Sequence, residues 1–273
     1  MIPIANIEAY NNSMAKSMQD KLFFASRVGA RIYVDFGCAD GTLLQFLSDM
    51  CGLADCWYIG FDESPEMIRL AQSRWNGSEQ AFFSDDWVDV LYKVEEARKE
   101  YIDQVETCII FSSVLHEVFT GFDSNQQRGF WKGVNSWGFN YIVIRDMAQS
   151  TILETPLTDV GINGDDLFIR YPELVGDFEK RWGNLATRRN VLHFLLKYRW
   201  ITNWERELEE DYLSLNPETM INELCADGYT LMYHEAFTLK YLENAVKDSF
   251  DIRLCDLGPT HIKSIFKRGN HSV

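Results

Sequence analysis

The chain has 273 residues and carries 41 acidic against 26 basic side chains, a net charge of −15. That length suits one large domain, or a domain with an insertion. An acidic surface repels phosphate backbones and anionic membranes, which argues against a general nucleic-acid coat or a membrane-surface protein. No run of 18 apolar residues and no basic, signal-like start occurs, so no membrane contact and a cytoplasmic location are expected. None of the six cysteines forms CxxC, and Cys51 and Cys56 have no second Cys/His pair nearby. No metal site is therefore expected, and the cysteines suit a reducing compartment.

Residues 1–29 read as one or two amphipathic helices, with Met14, Met18, Leu22 and Ala25 near one stripe. Strands and helices then alternate. "RIYVDFG" (31–37) is a buried strand ending in glycine, and a helix follows over 42–50. "CWYIGFD" (56–62) is the second strand. "SPEMIRLAQSRW" (64–75) opens with Ser then Pro, a good helix start. The third strand is 80–86, with a helix over 88–101. The fourth strand (106–118) runs into a loop or helix, a helix spans 125–138, and the fifth strand is 139–147. Alternation breaks over 150–215, a loop followed by aromatic helical sequence. It resumes with helix 217–228, strand 229–238, helix 239–250 and strand 260–268. This pattern predicts an α/β fold with a doubly wound, mostly parallel sheet and a helical insertion after strand five.

In such a sheet, ligands sit beyond the carboxyl ends of the strands, beside strand one. Asp35, Gly37, Ala39 and Gly41 of "VDFGCADG" occupy that place. The string lacks G-x-G-x-x-G, and Asp40 puts a carboxylate where a pyrophosphate would lie, so a dinucleotide is disfavoured. Asp62, with Glu63 beside it, ends strand two, where a carboxylate accepts from ribose hydroxyls. Asp85, Asp86 and Trp87 end strand three, suited to an exocyclic amine and a purine face. Asp85 and Asp86 point oppositely if the strand continues, and either an adenine or helix packing can claim the Trp87 indole.

"VDFGCADG", "IGFDESPEMIRLAQ", "FFSDDW" and "CIIFSSVLHEV" resemble the cofactor segments and substrate-facing loop of class I S-adenosylmethionine-dependent methyltransferases. The resemblance covers about residues 30–147 and 217–268. It implies a Rossmann-like, seven-stranded sheet and S-adenosylmethionine as cofactor. It implies Asp35, Gly37 and Gly41 around the methionine portion, with Ala39 replacing a frequent glycine. Asp62 would take the ribose, and Asp85 or Asp86 would lie near the adenine. The domains would be a helical segment (1–29) over the cofactor pocket, a core (30–149 and 216–273) and a substrate lid (150–215).

Ser112, Ser113, His116 and Glu117 follow strand four, where the methyl group would sit; Ser112 counts among the cofactor candidates. His116 has an intrinsic pKa suited to a general base. His116, Glu117 and Asp146 are the catalytic candidates, against a structural reading as a strand-end cap or ion pair. Residues 180–206 carry seven cations against one acid, interleaved with aromatics. This suits an RNA-holding surface, or a core helix whose cations pair with the acidic run "ERELEED". The acceptor expected is a small or medium-sized molecule. The alternatives are RNA or a nucleotide through 180–206, and a silent cofactor-binding module.

Overall fold

The computed structural model describes residues 18–51, 55–102, 104–150 and 169–269, together with Leu153, Leu157 and Leu167. The expectations for residues 1–17, Met14 among them, and for most of 151–168 lie outside the described residues. In chain order the elements are α1 (Met18–Lys21), β1 (Ile32–Phe36), α2 (Thr42–Cys51), β2 (Trp57–Phe61), α3 (Pro65–Arg74), β3 (Ala81–Ser84) and α4 (Trp87–Lys99). Then come β4 (Thr107–Ser112), α5 (Leu115–Val118), α6 (Ser124–Ser136), β5 (Tyr141–Met147), α7 (Pro172–Trp182), α8 (Arg188–Tyr198) and α9 (Trp204–Glu209). The chain ends with α10 (Pro217–Ala226), β6 (Tyr229–Phe237), α11 (Lys240–Phe250), α12 (Leu254–Leu257) and β7 (His261–Arg268).

The helices start where short polar side chains can accept from free N–H groups. Ser64 accepts from Met67 ahead of Pro65 in α3. Asp123 and Gln126 form a reciprocal capping box at α6. Asn216 accepts from Thr219 ahead of Pro217 in α10. The strands are apolar runs because most are covered on both faces; every residue of β4 is buried. β6 exposes most of its residues, as an edge strand does.

The seven strands form one sheet in the order β3-β2-β1-β4-β5-β7-β6. The first five pair in parallel, and β7 runs antiparallel to both β5 and β6. The expected mostly parallel, seven-stranded sheet is therefore present. The order reverses between β1 and β4, which opens the crevice at their carboxyl ends.

On one face, α4, α6 and α10 pack through Val90, Val94, Trp131, Val134, Met220 and Leu224. On the other, Met18, Leu22 and Phe24 join Leu43, Leu44 and Leu47 of α2 and Ile68 of α3. A third core belongs to the insertion: Phe178 of α7 and Val191, Phe194 and Leu195 of α8 pack with Leu242, Val246 and Phe250 of α11 and Leu254 and Leu257 of α12. Sequence patterning assigns 239–250 to the sheet layer. The structure joins it to the insertion, because its apolar stripe ends in Phe250, ringed by Tyr171 and Tyr198 at 5.2 and 4.6 Å. No helix of the described residues is long and apolar enough to cross a membrane. Of the described cysteines, Cys38, Cys56 and Cys108 are buried thiols and Cys225 and Cys255 are exposed, and all five are free.

Candidate functional site

The turn after β1 is built from three left-handed residues in five: Gly37, Ala39 and Gly41, at φ 79°, 47° and 74°. Glycine takes this conformation without strain, whereas an alanine pays about 1 kcal/mol. Packing also fixes the glycines. A Cβ on Gly37 would lie 2.6 Å from Val114, and one on Gly41 would lie 3.1–3.2 Å from the rings of Phe83 and Trp75.

β2 holds the turn. Gly37 and Cys38 both donate to the Phe61 carbonyl at 2.8 Å, and Ala39 donates to Asp62 Oδ2 at 2.9 Å. Asp62 Oδ1 accepts from Ser64 at 3.0 Å. Gly41 donates to Cys38, and Thr42 to Asp40. The backbone donors of residues 37, 38, 39, 41 and 42 are thus consumed inside the protein, which removes most of the donors that a pyrophosphate would need at this turn. This reason replaces the one read from the sequence. The Asp40 carboxylate does not face a ligand, because Arg74 pairs with it at 2.5 Å and Thr42 donates to it. Asp62 is half-buried and each of its oxygens accepts one backbone N–H, which leaves acceptor capacity on both, and burial raises its pKa above the usual carboxylate range.

Buried polar atoms nearly always find partners. Three that have none sit around this crevice: Asp35 Oδ1, Ser112 Oγ and the Trp87 indole nitrogen. Asp35 is 3% exposed. Burial pushes its carboxyl up to about 8, Lys21 pulls it down, and Asp62 adds to the rise. Glu63 and Asp85 are exposed. Asp86 caps α4, accepting from Val88 at 2.8 Å. Strand β3 stops at Ser84, so the alternation expected for Asp85 and Asp86 does not apply. The Trp87 ring packs against Phe36, Phe61 and Trp137 at 5.1, 5.4 and 4.6 Å. The ring packs among these neighbours while half-exposed, and its indole N–H lacks a partner.

Beyond β4, Asp146 is fully buried. Its carboxylate accepts from the backbone of Val114, Leu115 and Met147 and from His116 Nδ1, the last at 2.7 Å. His116 Nε2 lies 3.8 Å from Glu210. Burial opposes charge on this ring, but Asp146, Glu117 and Glu210 outweigh it and raise the pKa to about 9. These surroundings favour the imidazolium form at neutral pH. The general-base expectation for His116, read from its intrinsic pKa, does not fit this setting. Asp146 contacts the ring and the backbone, so it orients His116.

Glu117, like Lys21 and Glu207 on the same cavity, has a pKa near neutrality. Burial and Glu210 raise it to about 7, against the pull of His116 and Arg206. Arg206 bridges it to Glu210, at 3.1 and 3.0 Å. These groups border a cavity of ≈70 Å³ between the sheet edge and the insertion. Glu207, Tyr212, Trp200 and Tyr241 line the insertion side, and Lys21, Ser113, Arg145 and His261 the sheet side. Arg145 is held by Asp20 and Ser113 at 2.9 and 2.8 Å. His234 bonds Ser264 and lines a separate cavity of ≈420 Å³.

Lys21 and Tyr212 are not singled out by sequence reading, which takes Arg206 as one of seven cations and Glu207 and Glu210 as part of the acidic run. The available signal is the spacing of Glu207 and Glu210, three apart, which puts both carboxylates on one helical face. The "ERELEED" run pairs with three of the seven cations. Arg181 pairs with Glu209, Arg189 with Asp211, Arg206 with Glu210, and Lys180 with Asp177. Lys197 is buried and donates to the carbonyls of Glu207 and Glu210, and Arg188 donates to that of Asp256. The seven cations of 180–206 are largely internal partners, and RNA binding there is not favoured.

No protein-family model matches the chain, and no curated protein sequence does. Solved structures do. The chain is similar to a chain of the complex between the Haloferax volcanii Trm112 methyltransferase activator and a methyltransferase, at 11% identity and TM-score 0.55, covering 97% of this chain and 95% of that one. It is similar to the mycolic acid cyclopropane synthase CmaA1, at 9% identity and TM-score 0.52, covering 95% and 85%. It is also similar to an O-methyltransferase family protein from Burkholderia thailandensis, at 12% identity and TM-score 0.52, covering 97% of this chain and 60% of that one. The fold is that of the class I methyltransferases.

Proposed function

We propose that the chain is an S-adenosylmethionine-dependent methyltransferase acting on a small or medium-sized acceptor. The observation that carries this reading is the clamped turn. A left-handed loop with its donors consumed, held by a carboxylate with spare lone pairs, suits a ribose and not a diphosphate. The unpartnered Asp35 Oδ1 supports a ligand with a cationic amino group at the same place.

Asp62, with Glu63 alongside, would hold the ribose hydroxyls. Asp35 would face the amino-acid end, close to the turn of Gly37, Ala39 and Gly41, with Lys21 beside it. The Trp87 N–H, Asp85 and the capping Asp86 form the rim nearest an adenine, and Ser112 offers a buried hydroxyl next to Asp35. When bound, the cofactor supplies an electrophilic methyl carbon on a sulfonium. The chain aligns the acceptor and removes its proton. Glu117 is the proton acceptor in this reading. His116, kept charged and oriented by Asp146, fixes the electrostatics around it, so Asp146 is a positioning residue. The insertion, with α11 and α12, forms the lid over the acceptor.

Incubation with methyl-labelled cofactor and fractionated cell extract tests the reading. Label should enter the small-molecule fraction. Label entering RNA would overturn the acceptor class. Cofactor binding without label transfer to any fraction would make the chain a silent binding module.

A further inference from the structure

Three carboxylates border the cavity beside His116: Glu117, Glu207 and Glu210. Glu117 and Glu210 share Arg206. His116 is matched by Asp146. Lys197 also lies near Glu207, and its ammonium is bound by two backbone carbonyls. Glu207 remains. It is 5% exposed and lines the cavity. Its carboxylate makes no hydrogen bond or ion pair with a described residue; only its backbone carbonyl is engaged. The carboxylate opens into the cavity, and Arg206, Lys197 and His116 act on it only through space; so deep a carboxylate is costly unless a ligand or proton compensates it.

The rest of the wall suits the same occupant. Trp200, Tyr212 and Tyr241 border the cavity. Aromatic faces beside carboxylates attract ammonium groups through the ring quadrupole. The sheet-side cations are directed elsewhere: Arg145 and Lys263 pair with Asp20, and Lys21 lies in the field of Asp35, Asp146 and Asp20. A volume of ≈70 Å³ admits a group of a few heavy atoms.

We propose that this cavity, with Glu207 as its anchor, binds the amino group of the methyl acceptor, so that the acceptor is a small amine. The role as acceptor rests on the methyltransferase reading; the binding of a small ammonium does not. An ammonium must lose a proton before its nitrogen lone pair can attack. Burial raises Glu207 to about 6 and Glu117 to about 7, which suits either carboxylate to take that proton.

The test separates the two readings. Methylammonium chloride is titrated into the full-length protein without cofactor, with methanol and sodium acetate as neutral and anionic controls, and binding is followed by calorimetry. Methylammonium should bind, and the controls should not. Glu207→Gln, which keeps size and fold, should weaken methylammonium at least tenfold, while Tm shows that the variant is folded. Preference for acetate, equal binding of methanol, or an unchanged affinity in Glu207→Gln overturns the proposal. Binding of Mn²⁺ by His116, Glu117 and Glu210 that excludes methylammonium also overturns it. S-adenosylmethionine is titrated in parallel. Its binding without methylammonium binding removes only the amine inference. Methylammonium binding without cofactor binding supports the ammonium site and removes the methyltransferase reading.

Discussion

Asp62→Ala tests the central geometry most directly. The carboxylate accepts from Ala39 at 2.9 Å and from Ser64 at 3.0 Å, joining the end of β2 to the turn after β1 and to the start of α3. Alanine strips the acceptor from both N–H groups. Each such bond is worth about 1 kcal/mol net, so the variant should lose about 2 kcal/mol of stability. For a chain this size that lowers Tm by about 4–8 °C. The ribose diol loses its acceptors as well, at about 1–3 kcal/mol, or roughly 5- to 150-fold in Kd for S-adenosylmethionine. Asp62→Asn keeps one acceptor oxygen and turns an NH2 toward one of the two donors, so it should fall between. Thermal unfolding and calorimetry on the three proteins are sufficient. An alanine variant with the parent's Tm and Kd would refute both the clamp and the ribose assignment.

Ala39→Gly should raise Tm slightly, by about 0.5–1 kcal/mol of stability, because φ 47° strains alanine and not glycine; a lower Tm counts against the strained turn. Gly60→Ala should cost more than 2 kcal/mol on the scale of overpacked cores, since its Cβ would sit 2.4 Å from Phe83 and 2.7 Å from Cys38 Sγ. A denaturant midpoint equal to the parent's would contradict this packing. His116 has a folded pKa of about 9, above its unfolded value of 6.5. Its charged form therefore adds stability that is complete below pH 6.5 and lost as pH rises through 9. Asp35 and Lys21 also titrate near this window, so the useful measure is the difference between parent and His116→Gln stability curves. That difference should shrink from pH 6 to pH 10, and a difference that grows would reverse the assignment. NMR of the His116 ring should show imidazolium at pH 7.5, and Asp146→Asn should lower its midpoint.

The sheet was legible in the sequence because each of its signals is local. Apolar runs of five to seven residues, a Ser-Pro start, a Gly-rich turn and an acid closing strand two all act through neighbouring backbone, and strand boundaries follow within a residue or two except at the fourth strand, which stops at Ser112 rather than running on to 118. Two signals misled through what surrounds them. Asp40 reads as a ligand carboxylate until Arg74, 34 residues on, is seen to claim it. His116 reads as a base until Asp146 and Glu210 surround it with negative charge.

The sequence alone determined the alternating α/β order, the turn after β1 and the acid at the end of β2, since hydrophobic period and backbone conformation are properties of adjacent residues. Only the tertiary structure decided the protonation of His116, the pairing of the basic segment and the exposure of Glu207 to a cavity. Those depend on which charges meet across long chain separations, and on how much water burial removes from between them.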